Sequence, residues 1–165
     1  MSQPISDVQP FLGTARAQSV CNRELDRLAS TVTDRLSAAA DLPDGATAEV
    51  RRSPGRCIVQ LGPVALTMSW VRGSVDTVLN GRLMVVEWRG TVGQPNSAAP
   101  EQRVASRAAQ PARVVHETVL VADATSERDW LWRREDAAGI AFASTELATR
   151  CVDSLVRALR DGPVD

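Results

Sequence analysis

A chain of 165 residues with a formal net charge of −1 is sized for one domain that can bury a sizeable core without staples. That charge excludes a global field drawing the chain to nucleic acid or an acidic membrane. All nineteen basic side chains are arginine and tyrosine is absent, but the arginines are scattered, which argues against a dedicated cluster of guanidinium forks for phosphate or carboxylate.

Met1–Gly13 carries two prolines and little periodicity, and reads as a loose or docked tail. It has neither a basic n-region nor an apolar h-region, so it does not read as a signal peptide. Thr14 can cap a helix running to about Ala40. Cys21, Leu25, Leu28, Val32, Leu36 and Ala39 recur at spacings of three and four, which makes one apolar stripe. Asp41-Leu42-Pro43-Asp44-Gly45 then stops the helix.

Thr47–Ser53 and Arg56–Leu61 read as strands joined at the turn dipeptide Pro54-Gly55. The first carries Glu49, Arg51 and Arg52 and is expected at an edge; the second is partly apolar on both faces. Gly62-Pro63 leads into Val64–Arg72, where Val64, Leu66, Met68 and Trp70 alternate with Ala65, Thr67, Ser69 and Val71. Such a period of two marks a strand. Asn80-Gly81, placed between Val75–Leu79 and Arg82–Arg89, predicts a two-residue hairpin turn with φ > 0 at both central positions.

Residues 93–112 change character. They are rich in Ala, Ser, Gln and Pro, and predict an exposed flexible loop. Arg113–Ala122 is the next strand, with Glu117 sharing a face with Val115, Val119 and Val121 while His116 shares the other with Val114, Thr118 and Leu120. Arg128–Arg134, reading RDWLWRR, predicts a short strand with Trp130 and Trp132 on one face. Ser144 is placed to cap a last helix whose Leu147, Cys151, Leu155 and Leu159 lie four apart, and Gly162-Pro163 stops it. Residues 1–165 therefore read as a single α+β domain: a twisted antiparallel β-meander of about seven strands, with an N-terminal and a C-terminal amphipathic helix packed on one face. No βαβ alternation points to a nucleotide-binding parallel sheet.

Chemistry is thinly signalled. His116 is the only histidine; Glu87 or Glu117 would have to serve it in general base catalysis, and adjacent strand residues such as His116 and Glu117 point to opposite faces. No nucleophile motif, Gly-rich phosphate loop or calcium loop occurs. Cys21, Cys57 and Cys151 are odd in number and form no Cys-x-x-Cys pair, so they are expected as buried free thiols in a reducing, cytoplasmic compartment, with no transition-metal site. No apolar run approaches the roughly 20 residues that span a bilayer. No cofactor, metal or catalytic set is expected, and the chain leans away from an enzyme.

The tryptophans carry the functional expectation. Trp70 fits the core. Trp130 and Trp132 share a face with Arg128 and Arg134, a combination suited to an exposed contact surface. The expected function is a non-enzymatic protein-interaction or accessory domain, in one form a homodimer, using Arg128, Trp130, Trp132 and Arg134. A Trp/Arg strand also suits single-stranded nucleic acid, which the near-zero net charge disfavours. The alternative is a small apolar ligand held in a cavity between a curved sheet and the C-terminal helix. That element order resembles helix-grip lipid-binding domains, except that here a helix precedes every strand.

Overall fold

The computed structural model describes residues 10–39, 42, 46–73, 77–92 and 112–162. Helix α1 (Ala15–Ala38) is followed by strands β1 (Ala48–Ser53), β2 (Arg56–Leu61), β3 (Val64–Val71), β4 (Arg82–Arg89), β5 (Arg113–Asp123), β6 (Leu131–Arg134) and β7 (Ala141–Phe142), and then by helix α2 (Ser144–Asp161). The seven strands form one antiparallel sheet in sequence order, β1 to β7. The chain is thus the expected α+β meander, with both helices on one face of the sheet.

Local chemistry sets the element ends. The Thr14 hydroxyl accepts the Ala17 N–H at 3.2 Å and starts α1, as an N-cap does. Before it, Phe11–Gly13 form a 3-10 turn whose Phe11 and Leu12 pack against the core, so this end of the expected tail is docked. Residues 1–9, and all of the expected 93–112 loop except Ala112, lie outside the described residues, as do Asp41 and Pro43–Gly45. Pro54-Gly55 turns β1 into β2 with Gly55 at φ 70°, the left-handed region that glycine enters freely. Gly162, at φ 63°, closes α2.

Three expectations about elements are corrected. Val75–Leu79 is not a strand where it is described: Val78–Asn80 form a 3-10 turn, and Gly81 has φ −82°. The Asn80-Gly81 hairpin turn therefore does not form. Glycine is needed for room instead, since a Cβ at Gly81 would lie 2.1 Å from Trp70 Cζ2. The seventh strand is Ala141–Phe142, too short to leave a periodic signal. The cap of α2 is Ala143, whose methyl side chain can accept no N–H; Ser144 is instead the first residue of the helix, and its hydroxyl is engaged elsewhere.

The core lies between the helices and the sheet. Cys57, Val59 and Leu61 of β2, Val64, Leu66 and Met68 of β3, Leu83 and Val85 of β4, and Leu120 and Ala122 of β5 meet Val20, Leu28, Val32 and Leu36 of α1 and Leu147, Cys151, Val152 and Leu155 of α2. Burying each such aliphatic side chain stabilises the fold by about 1.5–3 kcal/mol. All three cysteines are free and buried. No described helix is long and apolar enough to cross a membrane.

Candidate functional site

The four residues expected to form a contact surface do not share one. Trp132 is 0% exposed and Trp130 6%. Their face of β6 is the face that the helices cover, so both indoles belong to the core. Trp132 makes edge-to-face contacts with Trp70 (ring centroids 5.9 Å apart) and Trp130 (5.6 Å), an arrangement that adds about 0.5–1.5 kcal/mol per pair beyond area burial. Arg128 is exposed. Arg134 is half-buried and held by Asp136 through bonds of 3.0 and 2.8 Å. The four residues thus separate into two core indoles and two surface guanidiniums.

A buried polar thread accounts for the Trp132 indole. Its Nε1–H donates to Ser144 Oγ at 2.9 Å, and that hydroxyl donates to Glu24 Oε2 at 2.7 Å. Glu24 is 5% exposed and pairs through Oε1 with Arg27 at 3.2 Å. One thread therefore joins β6, the first residue of α2 and the middle of α1. A lone Glu on an apolar stripe was the available sequence signal, and its partners, 108 and 120 positions away, were not legible. The thread is internal from Trp132 to Glu24 and meets solvent at Arg27, so its role is in holding the fold.

Two surfaces remain. The first is a cleft of about 160 Å³ between α2 and the helix-facing side of β4–β7. Val85, Leu120, Phe142 and Leu147 supply apolar lining, and Glu87, His116, Thr118, Arg134, Arg150 and Ser154 the polar part. The register sets Glu87 directly opposite His116, so the structure brings these two candidates to one face. Glu117, paired with Val86, lies on the other. His116 Nε2 is 3.1 Å from Thr118 Oγ1. Cys151 also lines the cleft, but burial and then the nearby Glu87 charge push its thiol up to about 12. At neutral pH it is a thiol rather than a thiolate nucleophile. Among the described residues no group of His, Cys, Asp and Glu is arranged to hold a metal ion.

The second surface is the other side of the sheet. Ile58, Ala65 and Val86 are buried, yet they stand outside the core cluster. They sit among Thr67, Met84, Trp88 and Val119, and the Trp88 Nε1–H donates to Thr67 Oγ1 at 3.0 Å. Among the described residues no helix packs over this face. A bulge between Glu87 and Trp88 leaves Val115 unpaired and sets Val114 opposite Trp88, so Val114 leaves the His116 face on which simple alternation would put it. The signal for this surface was present in the sequence: β4 alternates Leu83 and Val85 with Met84, Val86 and Trp88, apolar on both sides. No protein-family model matches the chain, and no curated protein or solved structure is significantly similar to it.

Proposed function

We propose that the chain is a non-enzymatic interaction domain that pairs with a second copy of itself through the open sheet face. The observation that carries this reading is the one-sided packing: both helices cover the same side, and the opposite side keeps the partly exposed Met84, Trp88 and Val119, with the already buried Ile58 and Val86 between them, without a described partner element.

Charge favours a second copy as the occupant. The register aligns Arg51, Ile58, Thr67, Val86 and Glu117 in one row across β1–β5. A two-fold axis parallel to the strands and passing over Thr67 sets Arg51 of one copy above Glu117 of the other, and Ile58 above Val86. Such an isologous contact sets both ends of the row against opposite charge at once, in addition to the Glu49 carboxylate that Arg51 already meets at 3.4 Å. Four strand spacings of ~4.8 Å and a strand of ~26 Å give roughly 500 Å² per copy, hence roughly 1,000 Å² in all, which reaches the lower bound for a specific interface.

Analytical ultracentrifugation tests the reading. Wild type is expected to sediment as a dimer, Met84→Asp, at a partly exposed position of the same face, as a folded monomer, and Glu117→Arg as a weakened dimer that Arg51→Glu restores when combined with it. A wild-type monomer at about 100 µM, which means association weaker than about −5.5 kcal/mol, would sink self-association. A dimer indifferent to the charge reversals but broken by Met84→Asp would keep the surface and discard the two-fold orientation.

A further inference from the structure

The cleft under α2 has a charge pattern that the dimer does not use. Arg134 is engaged by Asp136 at 2.8 and 3.0 Å. Arg150 stands 4.7 Å over the Phe142 ring and 3.8 Å from Glu146. Both cations thus have acidic partners of their own. Glu87 is half-buried in the cleft and makes no hydrogen bond or ion pair among the described residues. It is held there by the β4–β5 ladder, opposite His116, whose ring nitrogen is turned to Thr118. A carboxylate so placed, half out of water beside apolar walls, can take a cationic partner.

We infer that this cleft is a binding site for a small organic amine, with its ammonium on the Glu87 carboxylate and its apolar body against the Phe142 side chain, backed by the buried Leu147. The size of the body follows from the space. A cleft of about 160 Å³ is close to the ~150 Å³ that accommodates a benzene ring. The ammonium gains a charge-assisted hydrogen bond in a partly desolvated setting, and the body covers the part of Phe142 that faces water. A carboxylate ligand would instead meet Glu87 at close range and compete with Asp136 and Glu146 for the guanidiniums.

Three probes of one shape separate the outcomes: benzylamine, benzyl alcohol and benzoate, titrated into the full chain while the amide signals of His116, Leu147 and Cys151 are followed by NMR. Benzylamine is expected to saturate these shifts at a concentration about tenfold or more below benzyl alcohol. Glu87→Gln is expected to erase that advantage, and Glu87→Asp to keep part of it. Equal binding of amine and alcohol, tighter binding of benzoate, or no shift with benzylamine in the millimolar range would each overturn the assignment. The amine-to-alcohol ratio in wild type decides the matter even if the Glu87→Gln chain fails to fold. The site lies on the helix side of the sheet, so its failure leaves the dimer reading untouched.

Discussion

Ser144 shows how one side chain holds three elements together. Its hydroxyl accepts a hydrogen bond from the Trp132 indole N–H and donates one to Glu24, and all three residues are buried. In Ser144→Ala the indole N–H and one Glu24 oxygen lose their partner inside the core. The expected cost is about 1–3 kcal/mol, read as a lower denaturation midpoint with an unchanged m-value. A loss below about 0.5 kcal/mol, the range of neutral surface changes, would mean that water replaces the thread. Gly81 makes a different point. The Asn-Gly pair suggested a turn requiring φ > 0, yet the backbone there is ordinary and the Trp70 ring occupies the place of a side chain. Composition signalled that a glycine was needed, but the reason for it was tertiary and so lay outside any local pattern.

At the scale of elements, periodicity located most of the fold. The spacings of α1 and α2, and the alternation in β2 to β5, follow directly from which side chains must face a core, so these bounds were legible to within a residue or two. The expected strand at Val75–Leu79 and the missing β7 mark where such reasoning stops, since a two-residue strand has no period. The β5–β6 connection is organised by Asp129 in a way that spacing does not reveal. Its carboxylate accepts the Thr125 hydroxyl and the N–H groups of Thr125 and Ser126. These bonds, the Thr125 hydroxyl first, favour the charged form and lower the Asp129 pKa from 3.8 to about 2. With the folded value below the unfolded one, the bonds stabilise the loop above about pH 4 and are lost as pH falls toward 2. The amide shifts of Thr125 and Ser126 should titrate with a midpoint near 2; a midpoint at the ordinary aspartate value would mean that the loop is open in solution.

For the whole molecule, the decisive property is asymmetry. One side of the sheet is thick with helix, and the other presents strand side chains alone among the described residues. Trp130 and Trp132 were expected on a contact surface because arginines flank them. Which face of β6 the helices would cover depended on the joint packing of α1 and α2, which no local stretch encodes. Apolar alternation on both sides of β4 was the better guide, and it points to Trp88 and Val86. If the open face is paired in solution, folding and association are linked by mass action. The melting temperature of wild type should then rise with protein concentration, while that of Met84→Asp should not; calorimetry over a wide concentration range distinguishes the two.

The meander has a consequence for the order in which the chain is made. Each strand pairs with the one just synthesised, so the sheet can assemble as it leaves the ribosome. Helix α1 emerges first, but its principal neighbour is α2, and the Glu24–Ser144 bond spans 120 positions. The apolar stripe of α1 therefore waits through the synthesis of the entire sheet before its last cover arrives. During that interval the nascent chain presents the kind of surface that chaperones hold, and a ribosome stalled before α2 would leave it exposed.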